Sequence, residues 1–176
     1  EILEDGDNGL TPRGRECFAQ LRDELIAIDM TCQCDEQTII QINQEHALCQ
    51  RLDEIIGIGP ITATATYAAA GNAKDFKNGR HFSAWLGLVP KQHTSGGKDT
   101  LLGISKRGNA YLRTLYIHGA RAVLRYAASK DDPFSRWANA LHARRGHNRA
   151  CVAVANKIAR MAWVIMARGE SYRPAM

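Results

Sequence analysis

Between Pro12 and Pro60 no proline interrupts the chain, and apolar side chains return on a seven-residue repeat. One row is Phe18, Leu25, Cys32 and Ile39; the other is Leu21, Ile28, Ile42, Cys49 and Ile56. Two such rows form the a/d seam of a coiled coil. Thr11-Pro12 supplies an N-cap and a proline at the first helical position. The pattern therefore predicts one helix from about residue 12 to 52, roughly 60 Å long at 1.5 Å per residue. Asp35 and His46 fall on seam positions and interrupt it. A helix of that length buries its seam only against a partner, either a second chain or the rest of this one folded back. The expectation is a homo-oligomer joined through the coiled coil.

From Gly57 onward the period changes and punctuation becomes frequent. Gly57-Ile58-Gly59 permits a tight turn with positive φ, Pro60 opens a helix and Gly71 closes it. Alanines at 63, 65 and 68–70 let neighbouring helices approach closely. Phe82, Trp85 and Leu86 suit a short packed helix near 79–86 ending at Gly87, and Val89-Pro90 forces an extended exit. Residues 91–108 read as a loop with a small hairpin around Gly96-Gly97. Helices follow from Asn109 to about Ser129, from Asp132-Pro133 to about Arg145, and from near His147 to Ala167 before Gly169. The predicted fold class is all-α: a long coiled-coil helix, then a compact helical domain with a helix-hairpin-helix-like element and a short β-hairpin. The organisation read from it is a flexible acidic leader (1–11), a coiled-coil connector (12–56) and a basic helical domain (57–176).

Charge sharpens that division. Residues 1–56 hold 13 acidic and 4 basic side chains, a net of −9, while residues 57–176 hold 5 acidic and 19 basic, a net of +14. Most of the basic side chains are arginine, which favours bidentate phosphate contact, so the basic part is expected to bind a polyanion. Arg144, Arg145, Arg149, Lys157, Arg160 and Arg168 could line one flank for RNA or DNA. No unbroken apolar run approaches the roughly 20 residues that span a bilayer, and the opening residues are acidic where a signal peptide would be basic. The five cysteines, odd in number and without a Cys-x-x-Cys pair, read as reduced thiols. These features predict a cytoplasmic protein with no membrane partner.

Two stretches carry candidate chemistry. In "GIGPIT", Gly57, Gly59 and Thr62 could grip one backbone phosphate through the free N–H groups and positive dipole end of a helix N-terminus. The same residues also suit a plain helix–helix turn. In "HTSGGK" and "GISKRGN", Ser95 is followed by two glycines that give backbone room to a bulky phosphodiester. A serine hydroxyl needs an activating base or metal, and charge developing on phosphoryl oxygens needs donors or cations. Lys98, Lys106, Arg107 and Arg113 are of the right type and near in sequence, and Asn109 joins them as a candidate nucleic-acid contact. Spacing alone leaves Thr94 and Ser105 as equal nucleophile candidates. It leaves open, too, a glycine turn whose serine holds phosphate with no covalent step.

The string "GIGPITATATYAAAGNAKDFKNGRHFSAWLGLVPKQHTSGGKDTLLGISKRGNAYLRTLYIHGARAVL" resembles the C-terminal module of the DEDD-type, serine-containing insertion-sequence transposases, relatives of the pilin-gene invertases. The resemblance covers about residues 51–128. It implies that Ser95 is the nucleophile of DNA strand cleavage and rejoining through a phosphoserine link. It implies a DNA partner and a guide RNA of the bridge or seeker type. It implies, further, that an N-terminal RuvC-like domain supplies four acidic residues for Mg2+. This chain starts at the connector, and Asp53, Glu54, Asp75 and Asp99 are scattered. The expectation is therefore no cofactor bound by this chain and no cleavage by it alone. A non-catalytic dimerising scaffold and a guide-RNA-binding module stand as alternatives.

Overall fold

The computed structural model describes residues 3–5, 7–71, 73–95 and 98–173, except the side chains of 93–101. Among the described residues the chain is mainly helical. The helices are α1 (Pro12–Glu45), α2 (Ala47–Asp53), α3 (Pro60–Ala70), α4 (Gly79–Trp85), α5 (Ala110–Ala127), α6 (Pro133–Arg145) and α7 (His147–Arg168), with one antiparallel ribbon of β1 (Pro90–Ser95) and β2 (Lys98–Ile104) between α4 and α5. The chain divides into two compact units, residues 1–41 and 42–176.

In the first unit α1 starts where the sequence predicts. The Thr11 hydroxyl accepts from the Gly14 N–H at 3.1 Å, satisfying one orphan donor of the first turn. Arg15 donates to the Leu3 carbonyl at 3.0 Å and to Asn8 Oδ1 at 2.7 Å, tying the leader to the helix. Phe18, Leu21, Leu25 and Ile28, four successive seam positions, are each more than half exposed.

The second unit corrects the expected length of the rod. The helix does not run unbroken to residue 52: His46 adopts an extended conformation (φ −103°, ψ 109°) and α2 begins anew after it. The His46 ring lies 5.2 Å from that of Tyr67, and buried Asn43 donates through Nδ2 to Asp53 Oδ2 at 3.1 Å. Cys49 and Leu52 are fully buried, and Ile56 packs against the same core. Cys49 and Ile56, read as seam positions, are thus core residues. The heptad period continues there because a core-facing helix shows the same three-and-four spacing as a coiled-coil seam.

Helix α7 is the centre of this unit and packs on α2, α4, α5 and α6. Its buried stripe includes Val154, Ala155, Ile158, Ala159, Ala162 and Met166. By length and composition it could cross a membrane, yet half of that window is buried in the protein, so its apolarity is accounted for by core packing. Caps follow the predicted punctuation. Asp132 Oδ1 accepts from the N–H groups of Phe134 and Ser135, both at 3.0 Å, with Pro133 at the first helical position of α6. Gly169 ends α7 in the left-handed region (φ 65°). Tertiary hydrogen bonds lock the layers: Trp163 Nε1 donates to the Phe76 carbonyl at 3.1 Å, and Asn139 Nδ2 to the Ala127 carbonyl at 2.8 Å. Asp53 and Glu54 serve structure as well, Glu54 accepting from the Tyr172 N–H at 3.2 Å.

Candidate functional site

The ribbon that carries Ser95 stands on a base built by glycine contacts. Gly87 has φ +74°, and a Cβ there would lie 2.2 Å from the Arg107 carbonyl oxygen. Gly108 has φ +95°, and its Cβ would lie 1.8 Å from the Trp85 carbonyl oxygen. Backbone thus crosses backbone twice, with no room for a side chain at either crossing. The Ser105 N–H donates to the Val89 carbonyl at 2.8 Å and the Lys106 N–H to that of Gly87 at 3.2 Å. Lys106 itself is held at φ 54°, an uncommon conformation for a side chain of its size.

From this base the ribbon extends with Pro90 opposite Ile104, Thr94 opposite Asp99 and Ser95 opposite Lys98, interrupted by a bulge between Pro90 and Gln92. What the sequence suggests as a loop with a small hairpin is two strands of six and seven residues. Ser95 ends β1, and the Gly96-Gly97 connection lies outside the described residues. The side chains of Ser95, Thr94 and Lys98 lie outside them as well. Ser95 is five residues beyond Pro90, about 17 Å of extended strand from the base.

That distance divides the predicted cations. Lys98 is the cross-strand partner of Ser95 at the tip, whereas Lys106, Arg107 and Arg113 sit at the base. Nearness in sequence does not become nearness in space, because a ribbon separates its ends by its own length. Arg113 donates through Nη1 to the Leu86 carbonyl at 3.2 Å, joining α5 to the end of α4. Asn109 is the N-cap of α5, accepting from the Leu112 N–H at 3.0 Å. Lys106 and Arg107 remain exposed. Ser105, half-buried at the base, accepts from the Arg107 N–H at 3.5 Å.

The glycine turn before α3 is a packed crossing on one side and open on the other. Gly57 has φ +91°, and a Cβ on Gly119 of α5 would stand 1.8 Å from the Gly57 carbonyl oxygen. Gly59, by contrast, is the N-cap of α3 with nothing within 4 Å of a Cβ added there. The Thr62 side chain is buried, so only its backbone N–H is placed to meet a ligand. An open groove of about 440 Å³ runs along this turn and α5, with Leu115 and His118 on its far wall. Sequence reading names Gly57 and Gly59 but misses Gly119, Gly87 and Gly108 as contact points. A glycine inside a helix pattern was the available signal for Gly119.

Among the described residues no group of three or more histidine, cysteine or carboxylate side chains could hold a metal ion. His142 and His147 face each other with ring centres 5.4 Å apart, and His147 Nε2 is 3.4 Å from the Cys151 sulfur. Burial pushes the Cys151 thiol up in pKa, opposed by the Arg121 guanidinium, so it is not an activated thiolate.

A ribbon tip with a serine, a cationic base and a glycine-turned helix start occur together in residues 57–113. The match to a known family falls over the same stretch and beyond it. Residues 49–135 match the family described as Transposase IS116/IS110/IS902. That segment is similar to this transposase family over just under half of the chain. The chain is 48% identical over 165 residues to the transposase for insertion sequence element IS1111A of Coxiella burnetii, covering 94% of this chain and 45% of that protein. It is 49% identical over 159 residues to a probable family 20 transposase of Pseudomonas aeruginosa, covering 90% of this chain and 47% of that protein. With the transposase for insertion sequence element IS1328 of Yersinia enterocolitica it shares 42% identity over 123 residues, 70% of this chain and 37% of that protein. The chain spans about half the length of the first two relatives. The matched segment begins within α2 and ends at the start of α6, so it contains the whole ribbon and all three glycine contacts.

Proposed function

We propose that this chain is the DNA-handling part of an insertion-sequence transposase, in which Ser95 cuts and rejoins DNA strands through a phosphoserine intermediate. The observation that carries the reading is the ribbon inside the family segment, with Ser95 at its tip opposite Lys98 and two small residues beyond it. A hydroxyl on such a projection meets a backbone phosphate without helices crowding the five-coordinate phosphorus. The serine oxygen would bond to phosphorus, the bond from phosphorus to the leaving sugar oxygen would break, and that sugar would depart as a hydroxyl. Attack by another strand's sugar hydroxyl would reverse the step, releasing serine and sealing the new junction. The cationic base, about 17 Å away along the strand, is placed to hold flanking phosphates rather than the scissile one.

Charge at the scissile phosphate then needs help beyond Lys98. This reading assigns a Mg2+ ion to a separate RuvC-like domain of the full-length protein, and a guide RNA to the choice of target. Gly59 and the N–H end of α3 add a phosphate contact on the open side of the glycine turn. The exposed seam of α1 joins a second copy. The working environment is the cytoplasm, where the DNA is.

Trapping tests the central step. Full-length transposase incubated with a nicked suicide DNA should yield a covalent adduct whose peptide maps to residue 95. Ser95→Ala should abolish the adduct and strand exchange together, while DNA binding persists. An adduct that forms undiminished in Ser95→Ala sinks the reading.

A further inference from the structure

We propose that the cleft between the end of α3 and α4 binds one unpaired guanine base of a nucleic-acid strand. The proposal rests on the nucleic-acid reading above and adds to it a site that recognises a base. The cleft, about 620 Å³, has a small-residue wall of Ala69, Ala70 and Gly71 facing Asp75, Phe76, His81 and Trp85.

The aromatic wall is built and held in place. The Phe76 and Trp85 rings lie 5.2 Å apart at 58°, and Phe82, fully buried, backs both at 5.1 and 5.7 Å. The Trp163 indole N–H fixes the Phe76 carbonyl from behind at 3.1 Å. Phe76 and Trp85 are only half-buried, so this cluster leaves aromatic surface uncovered where a base could stack. Lys77 and Arg80 are exposed on the segment that forms the cleft, and they suit the phosphates flanking a stacked base.

The polar groups choose the base. Asp75 offers an exposed carboxylate that only accepts hydrogen bonds. The opposite wall is the carbonyl end of α3, the negative end of its dipole. The Asp75 carboxylate, facing the negative end of that dipole, favours a base edge rich in donors. Guanine alone presents two adjacent donors, N1–H and the N2 amine, which match one carboxylate in bidentate fashion. Adenine and cytosine place an amine beside a ring acceptor, and thymine or uracil flanks one N–H with two carbonyls. His81 Nδ1 accepts from the Lys77 N–H at 3.4 Å, which leaves Nε2 as the ring's donor, suited to guanine O6. In a duplex this edge is already paired, so the pocket takes guanine from an unpaired strand.

Fluorescence anisotropy on this 176-residue chain tests it. The probes are a short thymidine homopolymer, the same strand with one central guanine, and the same strand with inosine there, which lacks the N2 amine. Uridine versions with guanosine separate RNA from DNA as the source. The guanine strand should bind about tenfold tighter than the homopolymer, and inosine should lose most of that gain. Asp75→Asn, at an exposed position, should erase the preference while homopolymer affinity holds or rises. Trp85→Leu should weaken binding to every strand, with circular dichroism checking that the fold is kept. Equal affinity for guanine, inosine and thymidine strands, or a preference that survives Asp75→Asn, overturns the pocket and leaves the transposase reading standing. Absence of salt-sensitive binding to any strand overturns both.

Discussion

Asp132 shows how far single residues can be read from sequence. Its place before a proline predicts a helix start, and its carboxylate does cap α6, with Oδ2 also accepting from the Ser135 hydroxyl at 2.6 Å. Those bonds, the Ser135 hydroxyl first and its N–H next, hold the Asp132 carboxyl below its usual pKa of 3.8. A lowered folded-state pKa means the cap's contribution is complete above the unfolded value and is lost as pH falls through the folded one. Thermal unfolding followed from pH 6 down through about pH 3 should therefore fall less steeply in Asp132→Asn than in the parent chain. Thr11 and Gly169 were legible for the same reason, since capping is settled by neighbours within a few positions, whereas Asn109, read as a helix start and a nucleic-acid contact, shows its capping role only in the structure. Tyr116 marks the limit of such reading, because its partner is far away in sequence. Its hydroxyl lies 3.2 Å from Thr66 Oγ1, fifty positions away, while Thr66 itself donates to the Thr62 carbonyl at 2.6 Å. Tyr116→Phe removes the donor to a buried hydroxyl and should cost about 1 kcal/mol in urea denaturation.

Elements reveal a second limit. The periodicity of α1 predicted a seam, and Phe18, Leu21, Leu25 and Ile28 lie exposed along it. Periodicity could not say where the seam becomes core, because both look alike until Asn43, His46 and Asp53 are seen to turn the chain. If the exposed row joins two copies, Leu21→Lys together with Leu25→Lys should shift sedimentation from dimer to monomer. A change confined to pairing should leave the cooperative unfolding of residues 42–176 in place. The α3–α5 crossing gives a sharper expectation. Gly119 sits inside α5 where alanine has the better intrinsic propensity by about 1 kcal/mol, so local preference alone favours Gly119→Ala. A methyl there meets the Gly57 carbonyl, which is backbone and cannot rotate away. Overpacking should win, with a net loss of about 2 kcal/mol read by denaturant midpoint. A stabilised Gly119→Ala protein would show that the two backbones are not in contact.

For the whole molecule, charge is the property most legible in sequence and least dependent on fold detail. The shift from −9 over residues 1–56 to +14 over residues 57–176 required no structure. Structure adds which cations are committed: Arg113 holds the Leu86 carbonyl, and Lys157 lies 4.1 Å above the Trp137 ring. Arg144, Arg145 and Arg149, at the exposed corner between α6 and α7, remain on the surface. A polyanion held by several such residues displaces counterions, and each phosphate neutralised steepens the dependence of affinity on salt. Affinity for random duplex DNA should then fall about a thousandfold between 50 and 200 mM salt if roughly six phosphates are contacted. Replacing Arg144 and Arg145 by glutamine should lower the slope of log affinity against log salt by about 2, one phosphate for each arginine, and weaken all sequences alike. Asp75→Asn should leave that slope in place and change only the preference among bases. An unchanged slope in the double variant would remove the α6–α7 corner from the nucleic-acid surface and leave the ribbon base and the glycine turn to hold the strand.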